Sequence, residues 1–178
     1  LQAMIEASIP IQLVVTDRQC TAETIATHNN ITLKRIERNS YGKDFDRDTY
    51  TCEVRDALID HEIDLIAMAG FGTILNKPIY DDFSNRILNT HPSLLPSFPG
   101  WHAVEEALEY GVKVTGCTVH IATEEVDAGP ILAQESIPVL KDDTKETLHE
   151  RIKTVERQLY VDTINKIITT NGQIERDQ

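Results

Sequence analysis

Asn89 and His91 stand two positions apart in the run NTHPSLLPSFPG, and an acid, Asp127, opens the later Asp-Ala-Gly-Pro. In an extended segment residues two apart project to the same side, so an amide N–H and an imidazole can converge on one oxygen. With a carboxylate nearby they form a set suited to acyl transfer. The amide and the imidazolium stabilise a developing oxyanion, and the carboxylate orients the imidazole or moves protons. No serine or cysteine nucleophile is required where the acceptor is itself an amine. Pro92, Pro96 and Pro99 stiffen the following loop and keep it out of a helix. On residue type alone other readings stand beside this one: Asn89 can equally cap a turn, His91 before a proline can serve structure, and Asp127 is an ordinary turn acid.

The elements that must position these groups follow from the alternation of apolar runs and helical patterns. Strands are expected at 11–16, 31–36, 65–70, 86–90, 113–122 and 130–139. Helices are expected at 21–28, 46–63, 76–83, 102–110 (closed by Gly111) and 144–168, and residues 1–7 read as the tail of a helix with no strand before it. The uncharged run 65–70 suits a parallel strand buried on both faces. Alternating strands and helices predict an α/β fold, a doubly wound, mainly parallel sheet with helices on both faces. Such sheets place ligands beyond the carboxyl ends of their strands, here just after Gly70, Asn89 and Ala122.

A chain of 178 residues with 40% hydrophobic content fits a single domain spanning 1–178 with one core. Twenty-nine acidic against 17 basic side chains give a formal charge of −12, which argues against nucleic acid as a partner. A phosphorylated small molecule remains compatible, provided that specific residues supply local positive potential. Cys20, Cys52 and Cys117 have neither disulfide-framework nor zinc spacing, so a reducing compartment, the cytoplasm, is expected and no metal is. No stretch approaches the ~20 apolar residues of a membrane span. Nothing in the sequence specifies an oligomeric state. His120, ending Thr-Val-His, reads as a packed, hydrogen-bonded core histidine rather than a catalytic one. His102, after Trp101, reads equally as a helix-start residue or as lining near the site. The pairs Glu105-Glu106 and Asp142-Asp143 read as solvated surface.

NTHPSLLPSFPG, with VDAGP and the intervening Gly-Cys-Thr-Val-His and Gly-Pro-Ile elements, closely resembles the folate-dependent glycinamide ribonucleotide formyltransferases, from Leu1 to about Tyr160. The resemblance implies formyl transfer from 10-formyltetrahydrofolate, a co-substrate, to the amino group of glycinamide ribonucleotide in purine synthesis, with no metal. It makes Asn89, His91 and Asp127 the catalytic trio. It assigns folate contacts to Gly72, Thr73, Ile74 and Leu75, to Asn89, and to Thr123, Glu124, Glu125, Val126 and Asp127. For the ribonucleotide it implies Arg47, whose fork suits a phosphate, and Glu156, whose carboxylate suits ribose hydroxyls, with Lys153 one turn away on the same helix face. Without the resemblance, Arg47 reads as a solvated helix-start charge, and Lys153 with Glu156 as a surface ion pair.

Two departures qualify the match. Many relatives carry Met-Arg where this chain has Gly72-Thr73, which alters the side chains offered to the folate. The family also begins with a strand and a Gly-x-Gly-Ser/Thr-Asn loop that cradles the phosphate. Leu1-Gln-Ala resembles the residues just after that loop, so the sequence as it stands is expected to be N-terminally incomplete, without the first central strand and the phosphate grip. Two alternatives are carried: hydrolysis of the same folate by a deformylase, and an inactive truncated folate-binding remnant. The proline-rich Pro-Ser-Leu-Leu-Pro form favours the transferase.

Overall fold

A computed structural model describes residues 1–38, 40 and 42–170; positions 171–178 of the expected domain lie outside the described residues. The chain divides into two compact units, Leu1–Ile87 and Leu88–Gln178.

In the first unit α1 (Gln2–Glu6) precedes β1 (Leu13–Thr16), α2 (Thr21–His28) and β2 (Thr32–Arg35). β1 and β2 are parallel, Leu13 facing Thr32 and Thr16 facing Arg35, with α2 as the crossover. Glu23 of α2 locks this βαβ turn. Its carboxylate accepts Arg35 Nε and Nη2, each at 2.6 Å, and Thr16 Oγ1 at 2.8 Å, and the Arg35 guanidinium holds its pKa below the usual carboxylate value. α3 (Arg47–Asp60) begins where Asp46 accepts Thr49 N–H at 3.0 Å, a side-chain N-cap. Its buried Tyr50, Val54, Ala57 and Leu58 recur at helical spacing. β3 (Ile66–Ala67) is tied to the following segment by Ile66 N–H donating to Arg86 O at 2.8 Å. α4 (Lys77–Asp82) carries Pro78 in its first turn, where no intrahelical N–H is lost.

β4 (Ile87–His91), whose residues from Leu88 onward belong to the second unit, leads through the proline-rich loop to α5 (Ala103–Tyr110), which closes on Gly111 at φ +78°. β5 (Val114–Ile121) pairs antiparallel with both β4 and β6 (Ile131–Pro138). α6 (Lys145–Thr169) starts at a reciprocal Thr144/Thr147 capping box. Leu148 and Ile152 of α6 are fully buried against Val104, Cys117 and Ile137, forming the core of this unit. Tyr160 Oη donates to Leu88 O at 3.0 Å and ties α6 to β4.

The expected α/β class and element order hold, with two corrections in detail. β5 runs antiparallel to both β4 and β6; toward β6 this follows from the link 122–130, which contains no helix, whereas a parallel return needs a crossover of roughly a dozen residues or more. The strand expected at 65–70 is regular only at Ile66–Ala67, and Ala67, Ala69 and Gly70 are exposed, so it is not buried on both faces. Uncharged composition matched burial poorly there because small residues cover little of a strand's surface.

Ile152, 0% exposed, has neighbours from α5, β5 and β6. Ile152→Ala is expected to lower the unfolding free energy by about 2–5 kcal/mol through lost transfer energy and a residual cavity. Urea unfolding with an unchanged slope measures it.

Candidate active site

Strand β4 delivers Asn89 and His91 on one side of the strand, and the link after β5 delivers Asp127. The His91 side chain is 5% exposed and that of Asp127 6%. Asp127 Oδ2 lies 3.3 Å from His91 Nδ1 and accepts Gly100 N–H at 2.8 Å, while Oδ1 lies 3.7 Å from His120 Nε2. His91 Nε2 lies 2.7 Å from Phe98 O. Both ring nitrogens of His91 therefore face acceptors, and the imidazolium form satisfies both at once. Asn89 Nδ2 lies 3.3 Å from His120 Nε2, and His120 Nδ1 lies 3.0 Å from Ile121 O. Burial, first among its causes, pushes the His120 pKa below the ordinary histidine value, and the neighbouring charge of His91 acts the same way. Its contact with the Ile121 carbonyl and the nearby Asp127 carboxylate oppose this shift.

The loop that carries Phe98 and Gly100 is fastened from beneath. Thr118 Oγ1 donates to Ser93 O at 2.7 Å and accepts Leu95 N–H at 3.1 Å. Gln134 Nε2 lies 2.9 Å from both Thr118 Oγ1 and Leu95 O, and Ser93 Oγ donates to Ser97 O. Phe98 at φ +51° and Asp127 at φ +55° both occupy the left-handed region, which costs a non-glycine residue of order 1–3 kcal/mol. The conformation turns Phe98 O and the Asp127 carboxylate toward His91.

Residue by residue, the expected catalytic trio comes together in the second unit. Glu156 on α6 joins it at the edge, beside Thr90 and His91. Burial pushes its carboxyl pKa up, and the Thr90 hydroxyl and the His91 charge pull it back. Lys153 does not pair with Glu156: its ammonium lies 2.8 Å from Glu150. Glu150 and Glu156 both lie three residues from Lys153 and within reach along the helix, and Glu150 is the more exposed carboxylate, where an ammonium keeps its water. Of the second expected folate stretch, Glu124, Glu125 and Val126 are exposed on the link, Thr123 Oγ1 donates to Glu125 O, and only Asp127 turns its side chain into the cluster.

The remaining expected residues lie in the first unit. Gly72 and Ile74 are partly exposed, whereas Thr73 and Leu75 are buried, and Thr73 Oγ1 donates to Asp17 Oδ2 at 3.0 Å. The Thr73 and Leu75 side chains thus serve the core, which leaves Gly72, Ile74 and the backbone to meet a ligand. Arg47 is the half-buried first residue of α3, and its guanidinium makes no hydrogen bond or ion pair with the described residues. The next turn of α3 is tied to the same loop, Asn76 Nδ2 donating to Asp48 Oδ1 at 2.7 Å and Asn76 N–H to Thr51 Oγ1 at 3.0 Å.

Sequence reasoning missed the backbone partners Phe98 O, Gly100 N–H and Ile121 O, which carry no residue-type signal. Gly129 did leave one, inside Asp-Ala-Gly-Pro. A Cβ there would stand 1.9 Å from Ile121 O, the carbonyl that anchors His120. Among the described residues no group of three or more His, Cys, Asp or Glu could hold a metal ion, and no helix is long and apolar enough to cross a membrane.

An antiparallel β4–β5 pair that sets two imidazoles against one carboxylate, with an amide beside one of them, fits a group-transfer enzyme, and the comparisons agree. The model of the family described as "Formyl transferase" matches residues 2–164. Phosphoribosylglycinamide formyltransferase of Mycobacterium tuberculosis (strain CDC 1551 / Oshkosh) is 42% identical over 174 residues, 95% of this chain and 80% of that protein. The human trifunctional purine biosynthetic protein adenosine-3 is 45% identical over 117 residues, 66% of this chain and 12% of that one. Among solved structures, glycinamide ribonucleotide transformylase 1 from Symbiobacterium toebii has a TM-score of 0.85 at 38% identity and covers 92% of this chain and 79% of its own. The chain belongs to the formyl transferase family.

Gly129→Ala is expected to destabilise the protein by roughly 1–3 kcal/mol, because Ile121 O or the link must move to admit the methyl group. A drop in Tm accompanied by loss of transfer activity checks it, and an unchanged Tm would show that the link yields freely.

Proposed function

We propose that the protein transfers the formyl group of 10-formyltetrahydrofolate to the amino group of glycinamide ribonucleotide. The observation that carries this reading is His91 held by the Asp127 carboxylate 3.3 Å from Nδ1, on the same strand as Asn89, in a chain 42% identical to a phosphoribosylglycinamide formyltransferase. The family match runs from residue 2 to 164, through both units, which supports one functional domain. The free thiols of Cys20, Cys52 and Cys117 accord with a reducing cytoplasm.

The amine lone pair attacks the formyl carbon and forms the new C–N bond, and the carbonyl electron pair moves onto oxygen. Asn89 Nδ2–H and His91 Nε2–H stabilise that oxyanion, the latter after the formyl oxygen replaces Phe98 O as its acceptor. Collapse breaks the bond to the folate nitrogen, and the proton lost by the amine passes to that leaving nitrogen. Asp127 keeps the imidazole oriented through the step. Arg47 takes the ribonucleotide phosphate bidentately, and Glu156 accepts from its ribose hydroxyls. Gly72, Ile74 and the backbone of 72–75 meet the folate.

His91→Ala and Asp127→Asn should each lower kcat by on the order of 10²-fold or more, if each acts mainly in the transition state. Turnover of the folate is measured with and without the amine acceptor: dependence on the acceptor marks transfer, and equal rates mark hydrolysis. A variant with wild-type kcat removes that residue from the mechanism.

Arg47→Ala should raise KM for the ribonucleotide severalfold and leave KM for the folate nearly unchanged. Steady-state kinetics with each substrate varied separates the two, and equal effects on both contradict the assignment.

A further inference from the structure

We propose that His120 is a positioning residue for the transfer step: its Nε2 accepts a hydrogen bond from Asn89 Nδ2 and so fixes which way the Asn89 amide points. The inference rests on the formyl-transfer reading and deepens it. Asn89 and His120 are directly opposed partners in the antiparallel β4–β5 pair, which brings their side chains to one face. The contact is 3.3 Å, and His120 is 1% exposed.

The direction of the bond follows from the other side of the ring. His120 Nδ1 lies 3.0 Å from Ile121 O, a carbonyl that can only accept, so Nδ1 carries the proton. In the neutral ring Nε2 is then a lone pair, and only the N–H side of the Asn89 amide can satisfy it. The second N–H of Asn89 makes no hydrogen bond with the described residues and is left for the oxyanion. A flipped amide would set Oδ1 against that lone pair and present an acceptor to a negative oxygen. Ile121 O is itself held in place, since it packs so closely on Gly129 that no Cβ fits there.

The charged groups facing His120 are Asp127, whose Oδ1 is 3.7 Å from Nε2 on the link after β5, and His91 on β4. From β6 its register partner is the apolar Ile131. Glu156 of α6 stands beside Thr90 and His91. Burial outweighs the Asp127 carboxylate and keeps His120 neutral at neutral pH. When His120 is protonated, Nε2–H needs an acceptor, and the Asn89 amide must flip or let go. Transfer should therefore fall on the acid side with one further group titrating below the ordinary histidine value.

Two variants and one spectroscopic readout test this in the whole protein. His120→Leu, which removes the acceptor, should lower kcat by on the order of 10²-fold, the scale of a misplaced catalytic group, with both KM values little changed. His120→Gln supplies a carbonyl acceptor near the Nε2 position; it should retain most of kcat and lose the extra acid-side titration. The side-chain NH2 resonances of Asn89, assigned with Asn89→Asp, should shift as wild type is acidified and stay put in His120→Gln. If His120→Leu does not fold, the pH profile of His120→Gln and the resonances decide. A wild-type kcat in His120→Leu, an acid limb unchanged in His120→Gln, or resonances indifferent to acid in wild type overturns the proposal. The resonances remain informative even if wild type transfers no formyl group, so failure of the positioning and failure of the proposed reaction are told apart.

Discussion

A carboxylate that is 6% exposed must be paired or it destabilises the fold, and the second unit is organised around pairing that of Asp127. One oxygen takes the Gly100 N–H and faces His91, and the other faces His120. These partners come from β4, from the loop that follows it and from β5, so a single charge draws three segments to one point. Removing the carboxylate would leave His91 without an orienting partner and Gly100 N–H without its acceptor. The cost therefore falls on shape as well as on chemistry, as is expected of partly desolvated networks.

The scaffold around that charge is crowded where it can least move. Gly116 of β5 lies so near Glu135 O and Leu94 that a Cβ would sit 2.1 Å from the carbonyl, and Gly129 approaches Ile121 O comparably. Thr118, between these contacts in β5, spends its hydroxyl on Ser93 O, Leu95 N–H and Gln134. Close backbone approach and a saturated hydroxyl leave the proline-rich loop little freedom. The left-handed conformations of Phe98 and Asp127 persist because the surrounding hydrogen bonds over-determine them. Pre-organisation of this kind is what lets an amide and an imidazole act on an oxyanion without reorganising during the reaction.

Much of this was legible from residue types at spacings that geometry constrains. Asn89 and His91, two apart on a strand, had to share a side; Gly111 had to end a helix; the helical spacing of Val54 and Leu58 in α3 and of Leu148 and Ile152 in α6 marked buried faces, although Ile59 and Ile168 on the same helices are exposed. His120 was legible as a buried, hydrogen-bonded histidine, but its tie to Asn89 needed the β4–β5 register, which no local pattern encodes. The backbone groups Phe98 O, Gly100 N–H and Ile121 O were invisible because every residue has them. Thr73 and Leu75 belong to a stretch matched as a block, yet alternation along an extended segment sends their side chains inward and only Gly72 and Ile74 outward. Lys153 was matched by helical spacing to Glu156, a carboxylate that burial makes a poor ion-pair partner, so the ammonium turns to Glu150 instead.

Two imidazoles share one carboxylate, and the surroundings make them unequal. His120 has a fixed carbonyl on Nδ1 and almost no exposure, so burial removes its charge. His91 faces an acceptor at each nitrogen, the Asp127 carboxylate at Nδ1 and Phe98 O at Nε2. A cation on His91 would in turn disfavour one on His120. Neutral His120 can then accept from the Asn89 amide while His91 donates. A protonated His120 would instead withdraw the Asn89 donor from an oxyanion. Identical side chains thus take opposite roles because one nitrogen faces a carbonyl where the other faces a carboxylate.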